Sequence, residues 1–252
     1  MKPLILISND DGVAAKGLHE LIDMLRPLGD LFVVAPDRAR SGAACSITSP
    51  LPITIHQLKV EDGVTIYSCT GRPTDCVKIA IDQLLLRQPD LVVGGINHGD
   101  NSSVNEHYSG TMGVAKEGAL HGIPSIAFSL CNYDSNANFE PLRDIVQHIT
   151  RLVLGKGIPF GTCLNVNFPD VENYAGIKVC RMGFNRWENE FTPFERPRGG
   201  RYFWLGGDFV NDEPEETDTD TWALERDYVA ITPIHIDDTD YALKETLESW
   251  DL

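Results

Sequence analysis

Residues 8–12 read Ser-Asn-Asp-Asp-Gly and follow directly on the apolar run Pro3-Leu4-Ile5-Leu6-Ile7. Two adjacent carboxylates, Asp10 and Asp11, stand between an amide and a glycine, and the combination admits two readings. Asn, Asp and Gly are the residues of a tight turn. They also supply the oxygens by which a hard cation such as Mg²⁺ or Mn²⁺ is held. Further along, "APDRARSG" offers Ser41 and Gly42, "GINHGDN" offers Asn97 and Asn101, and "YSGT" offers Ser109, Gly110 and Thr111. Carboxylate, hydroxyl and amide oxygens gathered at one point suit an octahedral cation that keeps open positions. Ser, Gly and Thr opening a helix suit an anion such as phosphate, because the first N–H groups and the helix dipole point outward there. An ordinary N-cap uses the same residues.

These clusters share one chemistry only if the fold brings them together. Leu18, Leu21, Ile22 and Leu25 recur at helical spacing. Residues 3–9, 30–36, 89–97 and 163–169, together with "IPSIAFSL", read as buried strands. Pro73 and Asp75 open a helix that carries Val77, Ala80, Ile81, Leu84 and Leu85 on one face. "SGTMGVAKEGALHG" reads as a small-residue helix able to lie close on a sheet, and Leu142, Ile145, Val146 and Ile149 mark a further helix over 141–154. Apolar, non-alternating strands separated by helices predict an α/β fold, a Rossmann-like and mostly parallel sheet with helices on both faces. Ligands of such sheets bind beyond the carboxyl ends of the strands. SNDDG, APDRARSG and GINHGDN each follow the end of a predicted strand, so all three fall on one rim.

The pattern changes after about residue 176. "IKVCRMGF", "GGRYFWLGGDFV" and "DYVAITPI" read as β-hairpin material, residues 211–220 as a solvated acidic loop, and Tyr241, Leu243, Leu247 and Trp250 as a short terminal helix. The expected division is a catalytic core over 1–176 and a β-hairpin-rich extension over 177–252, part of it rejoining the core. The aromatic hairpins present more apolar surface than so small an appendage buries on itself, which predicts a homo-oligomer.

Bulk charge narrows the function. Lys+Arg number 21 against Asp+Glu 37, a net charge of −16 in 252 residues. That balance excludes a phosphate-neutralising surface for a nucleic-acid polymer, and any phosphate-handling site must import positive charge, which a bound divalent cation does. No apolar run approaches a membrane span, and the N-terminus has no secretory pattern. The six cysteines are scattered without a CxxC pair, as in a reduced cytoplasmic protein.

The motifs "ILISNDDG", "APDRARSG", "GRPTDCV", "GINHGDN" and "YSGTMGVAKEGALHGIPSIA" stand in an order and spacing that resembles the survival protein E (SurE) family of nucleotide phosphatases. "LNVNFP" and "VAITPI" extend the likeness into the second half. The resemblance implies a Rossmann-like core, a C-terminal β-rich extension used in dimer or tetramer contacts, and divalent-metal-dependent hydrolysis of nucleoside 5′-monophosphates, extending to 3′-monophosphates and polyphosphate. It implies that Asp10, Asp11, Ser41 and Asn97 hold the metal (Mg²⁺ or Mn²⁺), with Asp10 and Asp11 the catalytic pair. Asn101, Ser109, Gly110 and Thr111 then line the phosphate site. One departure is visible: where the family often carries a Gly-Asp-Asp stretch before YSGT, this chain has Ser-Ser-Val-Asn-Glu-His at 102–107.

Several conspicuous residues receive no role. His98 and His107 flank the expected pocket, but loop histidines are more often structural than catalytic. Trp187, Phe191, Phe194 and Trp204 read as core or interface rather than base-stacking groups. Arg38 and Arg40 read as surface charge, and Asp37 and Asp75 as turn and helix-start residues. Three other functions compete. A non-catalytic nucleotide-binding module needs only the sheet and the helix start, and predicts binding without turnover. A serine hydrolase on Ser109 lacks the G-x-S-x-G elbow. An aspartyl-phosphate enzyme would carry a D-x-D spacing, replaced here by adjacent Asp10-Asp11.

Overall fold

Alternation along the first strand, β1 (Leu4–Ser8), divides the hydrophobic core in two. Ile5 and Ile7 pack on one face with Leu18, Leu21 and Val146, while Leu6 packs on the other with Val34, Val77 and Val114. The computed structural model describes residues 2–250. After β1 the chain runs through α1 (Lys16–Leu25), β2 (Asp30–Pro36), β3 (Ile55–Glu61), β4 (Val64–Cys69), α2 (Pro73–Ile79), β5 (Leu91–His98), α3 (Gly110–Leu120), β6 (Ser125–Leu130), α4 (Arg143–Lys156) and β7 (Thr162–Phe168). It continues through β8 (Gly176–Val179), β9 (Asn185–Glu188), β10 (Phe191–Glu195), β11 (Arg201–Leu205), β12 (Asp208–Asn211), α5 (Asp220–Leu224), β13 (Tyr228–His235) and α6 (Tyr241–Glu248).

Nine of these strands form one sheet in the order β3-β4-β2-β1-β5-β6-β7-β13-β8. All of its pairings are parallel except β3 with β4 and β13 with β7. Helices α1 and α4 cover one face; α2 and α3 cover the other. The expected α/β architecture is therefore present. The sheet reverses its order at β1 and β5, since β2 lies on the far side of β1 and β6 on the far side of β5. That reversal is the crevice in which open parallel sheets bind ligands, and SNDDG and GINHGDN are the loops at its two lips.

The structure corrects the reading of three segments. Residues 55–69, given no element above, form the β3–β4 hairpin at the sheet edge, where six of the seven β3 residues are exposed. Without a buried face, β3 carries no apolar pattern to read. "IKVCRMGF" and "DYVAITPI" are not free hairpins: β8 runs parallel to β13, and β13 closes the main sheet against β7. The acidic run 211–220 is solvated only in its middle. Arg181 grips Glu213 at 2.9 Å and Asp218 at 3.1 Å, and the fully buried Asp220 accepts backbone N–H groups from Ser103 and Gly183, both at 2.9 Å. Those two donors have no ladder partner, and a buried N–H without an acceptor is costly. Asp220 thereby ties the C-terminal part of the chain to the loop that follows β5. The remaining strands of that part form two short antiparallel ladders, β9 with β12 and β10 with β11.

Candidate active site

Each cluster expected on the rim arrives there through a local cause. At the end of β1, buried Asn9 donates through its amide to Gly12 O at 3.1 Å, and Gly12 adopts φ +100°, where an L side chain is strained. The turn reading of SNDDG is present in the fold, and that turn aims Asp10 and Asp11. The loop bearing Ser41 is held against it by Arg40, whose backbone N–H donates to Asp10 O and whose guanidinium donates to Thr70 O at 2.7 Å. Arg40 also lies 3.3 Å from Asp37, so it serves the loop and is not free to steer an anion. Asp75 accepts from the Arg72 and Thr48 N–H groups, the helix-start duty expected of it. The register of β5 on β6 shifts between Gly94 and Asn97, and such an irregularity re-aims the residues that follow.

Asp10 is the centre of the arrangement. Its Oδ1 accepts from the Thr111 hydroxyl at 2.6 Å and its Oδ2 from the Gly110 N–H at 3.2 Å. Two of the four residues expected on the phosphate therefore bind Asp10 itself through these groups. Ser109 caps α3 by accepting the Met112 N–H at 3.0 Å, which leaves its hydroxyl proton to donate. Asp11 accepts the His98 N–H at 3.1 Å through Oδ2. Asn97 commits its amide nitrogen to Gly99 O at 2.9 Å, so its side-chain oxygen is the atom available to the cleft. Asp10, Ser41, Asn97, Asn101 and Ser109 line one cleft of about 280 Å³; Asp11 opens on an adjoining one of about 530 Å³, which shares Ser41, His98 and Tyr133.

His98 proves structural. Its Nε2 accepts the Gly17 N–H at 3.2 Å, which places the ring proton on Nδ1, donated to Asp134 O at 3.0 Å. His107 is exposed beside Glu106, at 3.4 Å. One supporting network was not anticipated. Asn101 donates its N–H to Asn167 Oδ1 (2.9 Å) and its side-chain amide to Ser129 Oγ (2.8 Å), while its carbonyl accepts from Asn165 (2.8 Å). All four side chains are buried. Two asparagines two apart in the buried strand β7 share one face, and that pattern in "LNVNF" was the available signal.

The charge environment asks for a cation. Burial, and secondarily the charge of Asp11, pushes Asp10 up to about 6; burial likewise raises Asp11 and Asp100. Among the described residues no lysine or arginine pairs with Asp10 or Asp11, and no cluster of three His, Cys, Asp or Glu side chains could make a soft-metal site. Two carboxylates with neutral hydroxyl and amide oxygens fit a hard divalent cation that retains waters, and do not fit zinc. A sign follows for pH. A carboxyl whose folded value is raised contributes stability below its unfolded value of about 3.8, and that contribution is lost as pH rises through about 6. A cation held by those carboxylates would compete with the protons. The gain in melting temperature on adding Mn²⁺ is therefore expected to be larger at pH 7.5 than at pH 5 in thermal unfolding, and equal gains at the two pH values would contradict it.

The sequence profile of the family described as survival protein SurE matches residues 5–189. A protein of Phocaeicola vulgatus named 5′-nucleotidase SurE is 53% identical over 251 residues, covering 100% of this chain and 98% of the relative. One of the same name from Chlorobaculum tepidum is 38% identical over 253 residues, covering 100% and 95%. The crystal structure of the SurE protein from Aquifex aeolicus superposes with a TM-score of 0.84 at 37% identity, covering 98% of each chain.

Proposed function

The chain belongs to the survival protein SurE family, and from that premise we propose that it is a 5′-nucleotidase, a hydrolase that removes phosphate from nucleoside 5′-monophosphates with a divalent cation. One observation carries the reading: at the sheet's switch point Asp10 is bonded to the N-terminal turn of α3, with a second carboxylate, Asp11, next to it in the same turn. Asp10, Asp11, Ser41 and Asn97 would hold Mg²⁺ or Mn²⁺. Bound there, the cation supplies Lewis-acid polarisation of the phosphoryl group and activation of water. Thr111 and Gly110 fix the Asp10 carboxylate in one rotamer. The Ser109 hydroxyl and the second amide hydrogen of Asn101 would bind and orient the phosphate, beside the outward N–H groups of the helix start. The test is a phosphate-release assay over nucleoside 5′- and 3′-monophosphates with added cation. Release from the 5′ esters is expected; tight binding with no turnover would favour a non-catalytic module.

Occupied with the cation, neither Asp10 nor Asp11 would be free to attack phosphorus. Ser109 has no histidine, lysine or carboxylate as a hydrogen-bonded base, its oxygen being taken up by the Met112 N–H. A single in-line displacement by water is expected, and with it inversion at phosphorus when a chiral, isotopically labelled ester is hydrolysed. Retention would instead require a covalent phospho-enzyme.

The extension is proposed as the oligomer contact. All five residues of β10 and all five of β11 are exposed, including Phe191, Phe203, Trp204 and Leu205, and an isolated two-stranded ladder is marginal in water. Light scattering at micromolar concentration should give a multiple of the 27.9 kDa chain, whereas a monomer would refute the assignment. Among the described residues no helix is long and apolar enough to cross a membrane, and six free cysteines suit the reducing cytoplasm proposed for it.

A further inference from the structure

Beyond the end of β5 the chain leaves the ladder that paired its backbone, and buried N–H and C=O groups without partners are costly. At Gly99 the partner is still a strand, the N–H donating to Leu130 O at 2.8 Å. At Asn101 two side chains take the place of a strand. Asn167 Oδ1 accepts the Asn101 N–H at 2.9 Å, and Asn165 Nδ2 donates to the Asn101 carbonyl at 2.8 Å. A third bond, from Asn167 Nδ2 to Asn165 Oδ1 at 2.9 Å, closes the ring. A backbone N–H only donates and a carbonyl only accepts, so each asparagine has one permitted orientation. The bond between the two agrees with both.

The side chain of Asn101 is held from β6. Its amide nitrogen donates to Ser129 Oγ at 2.8 Å, so one hydrogen of that nitrogen is engaged and the other is left. Ser129 stands in register with Asn97 on β5 and with Asn167 on β7. A polar row therefore crosses the carboxyl ends of three adjacent strands. Cys163, two residues before Asn165, packs with Met112 and Ala115 of α3, and residues two apart on a strand share a face. The asparagine pair thus lies on the face that α3 covers. Ser129, Asn165 and Asn167 are at most 1% exposed, and apolar side chains would be the more favourable ones to bury there. The rest of the loop hangs elsewhere: Asn105 donates to Asp100 at 3.1 Å and accepts the Trp187 indole N–H at 2.8 Å. The hold on Asn101 is separate from the hold on the loop.

We infer that Ser129, Asn165 and Asn167 are positioning residues for phosphate: they hold Asn101 with its remaining amide hydrogen toward the phosphoryl group, and they act on the reaction only through Asn101. The inference rests on the phosphatase reading. With its backbone tied to β7 and its amide tied to β6, Asn101 is ordered before any anion arrives. A preorganised donor loses little freedom on binding, and it stays aimed as charge shifts to the equatorial oxygens. Asn97, in the same row, has a different partner, its amide donating to Gly99 O at 2.9 Å. The cation side is thus held independently.

A double-mutant cycle on the full chain tests this, with Ser129→Ala and Asn101→Ala made singly and together. Calorimetry gives the Kd of inorganic phosphate in the presence of Mn²⁺, and steady-state assays give kcat/KM for a nucleoside 5′-monophosphate. Ser129→Ala alone is expected to weaken phosphate binding and to lower kcat/KM, each by about fivefold or more. In the Asn101→Ala background the same substitution should change either quantity by less than about twofold, because nothing is left for Ser129 to position. Circular dichroism checks each fold, and Asn165→Ala takes the place of Ser129→Ala in the cycle if that variant fails to fold. Equal losses in both backgrounds would mean general damage to the sheet and would overturn the inference. So would a phosphate affinity that the single variants leave unchanged, or a Mn²⁺ requirement that rises in step with the loss. No phosphate release by the wild type would overturn the phosphatase reading itself, and this inference with it.

Discussion

Asp10→Asn and Asp11→Asn are each expected to lower phosphate release from a nucleoside 5′-monophosphate by a thousandfold or more, with far-UV circular dichroism unchanged. Each substitution removes one of the two formal charges at a site whose other donors, Ser41 and Asn97, are neutral. Loss of a catalytic cation forfeits several kcal/mol of transition-state stabilisation, on the order of 4 kcal/mol for a thousandfold. Asp10→Asn has a second consequence. The amide presents a donor where one of the two Asp10 oxygens accepts, from the Gly110 N–H or the Thr111 hydroxyl, so one of those bonds becomes a donor–donor clash. The fold should survive, because removing the charge of a buried carboxylate that burial has already pushed up to about 6 relieves a desolvation cost. Activity within tenfold of wild type in either variant would contradict the assignment of that carboxylate.

Gly110→Ala is expected to reduce kcat/KM by roughly a hundredfold, a large effect for one methyl group at a residue with no functional side chain. An added Cβ would stand 2.7 Å from Asp10 Cβ and 2.9 Å from its Oδ2. Real Cβ atoms do not approach so closely, so either α3 withdraws from β1 or Asp10 leaves its rotamer. Both movements dislocate the carboxylate from the helix start, and a displacement of about 1 Å in a catalytic constellation costs on that scale. Gly155→Ala is the matched control. It lies in α4 with nothing within 4 Å of the new Cβ, and alanine is the better helix former. Steady-state kinetics on the two variants should separate sharply, and equal activities would show that the α3–Asp10 contact does not set the site.

How much of this was legible in the sequence depends on what each residue faces. Strands buried on both faces, such as β5 (Leu91–His98) with seven of eight residues buried, announce themselves as apolar runs. The edge strand β3 has no buried face, and so no pattern marked it. The rim placement of Asp10, Ser41 and Asn97 followed from one general rule about parallel sheets. Their order around the switch point did not, because strand order is decided by long-range packing. The double duty of Thr111, expected on phosphate but bonded to Asp10, is a matter of a side-chain rotamer that spacing cannot encode. Asp220 misled for a similar reason: within a run of acidic residues, nothing local distinguishes the buried carboxylate from its solvated neighbours. The family likeness covered the expected site residues and passed over Asn105, which lies in the segment 102–107 where this chain departs from the family's usual pattern.

If the Asp10–Asp11 site works as a cation-dependent phosphatase, chelation followed by reconstitution switches its activity off and on again. Phosphate release from a nucleoside 5′-monophosphate is measured on the wild type as prepared, after exhaustive treatment with EDTA, and after readdition of Mn²⁺ or Mg²⁺, with Asp10→Asn in parallel. Activity is expected to vanish on chelation, to return with either cation in the wild type, and never to appear in Asp10→Asn. Undiminished phosphate release from the fully chelated protein would contradict the account.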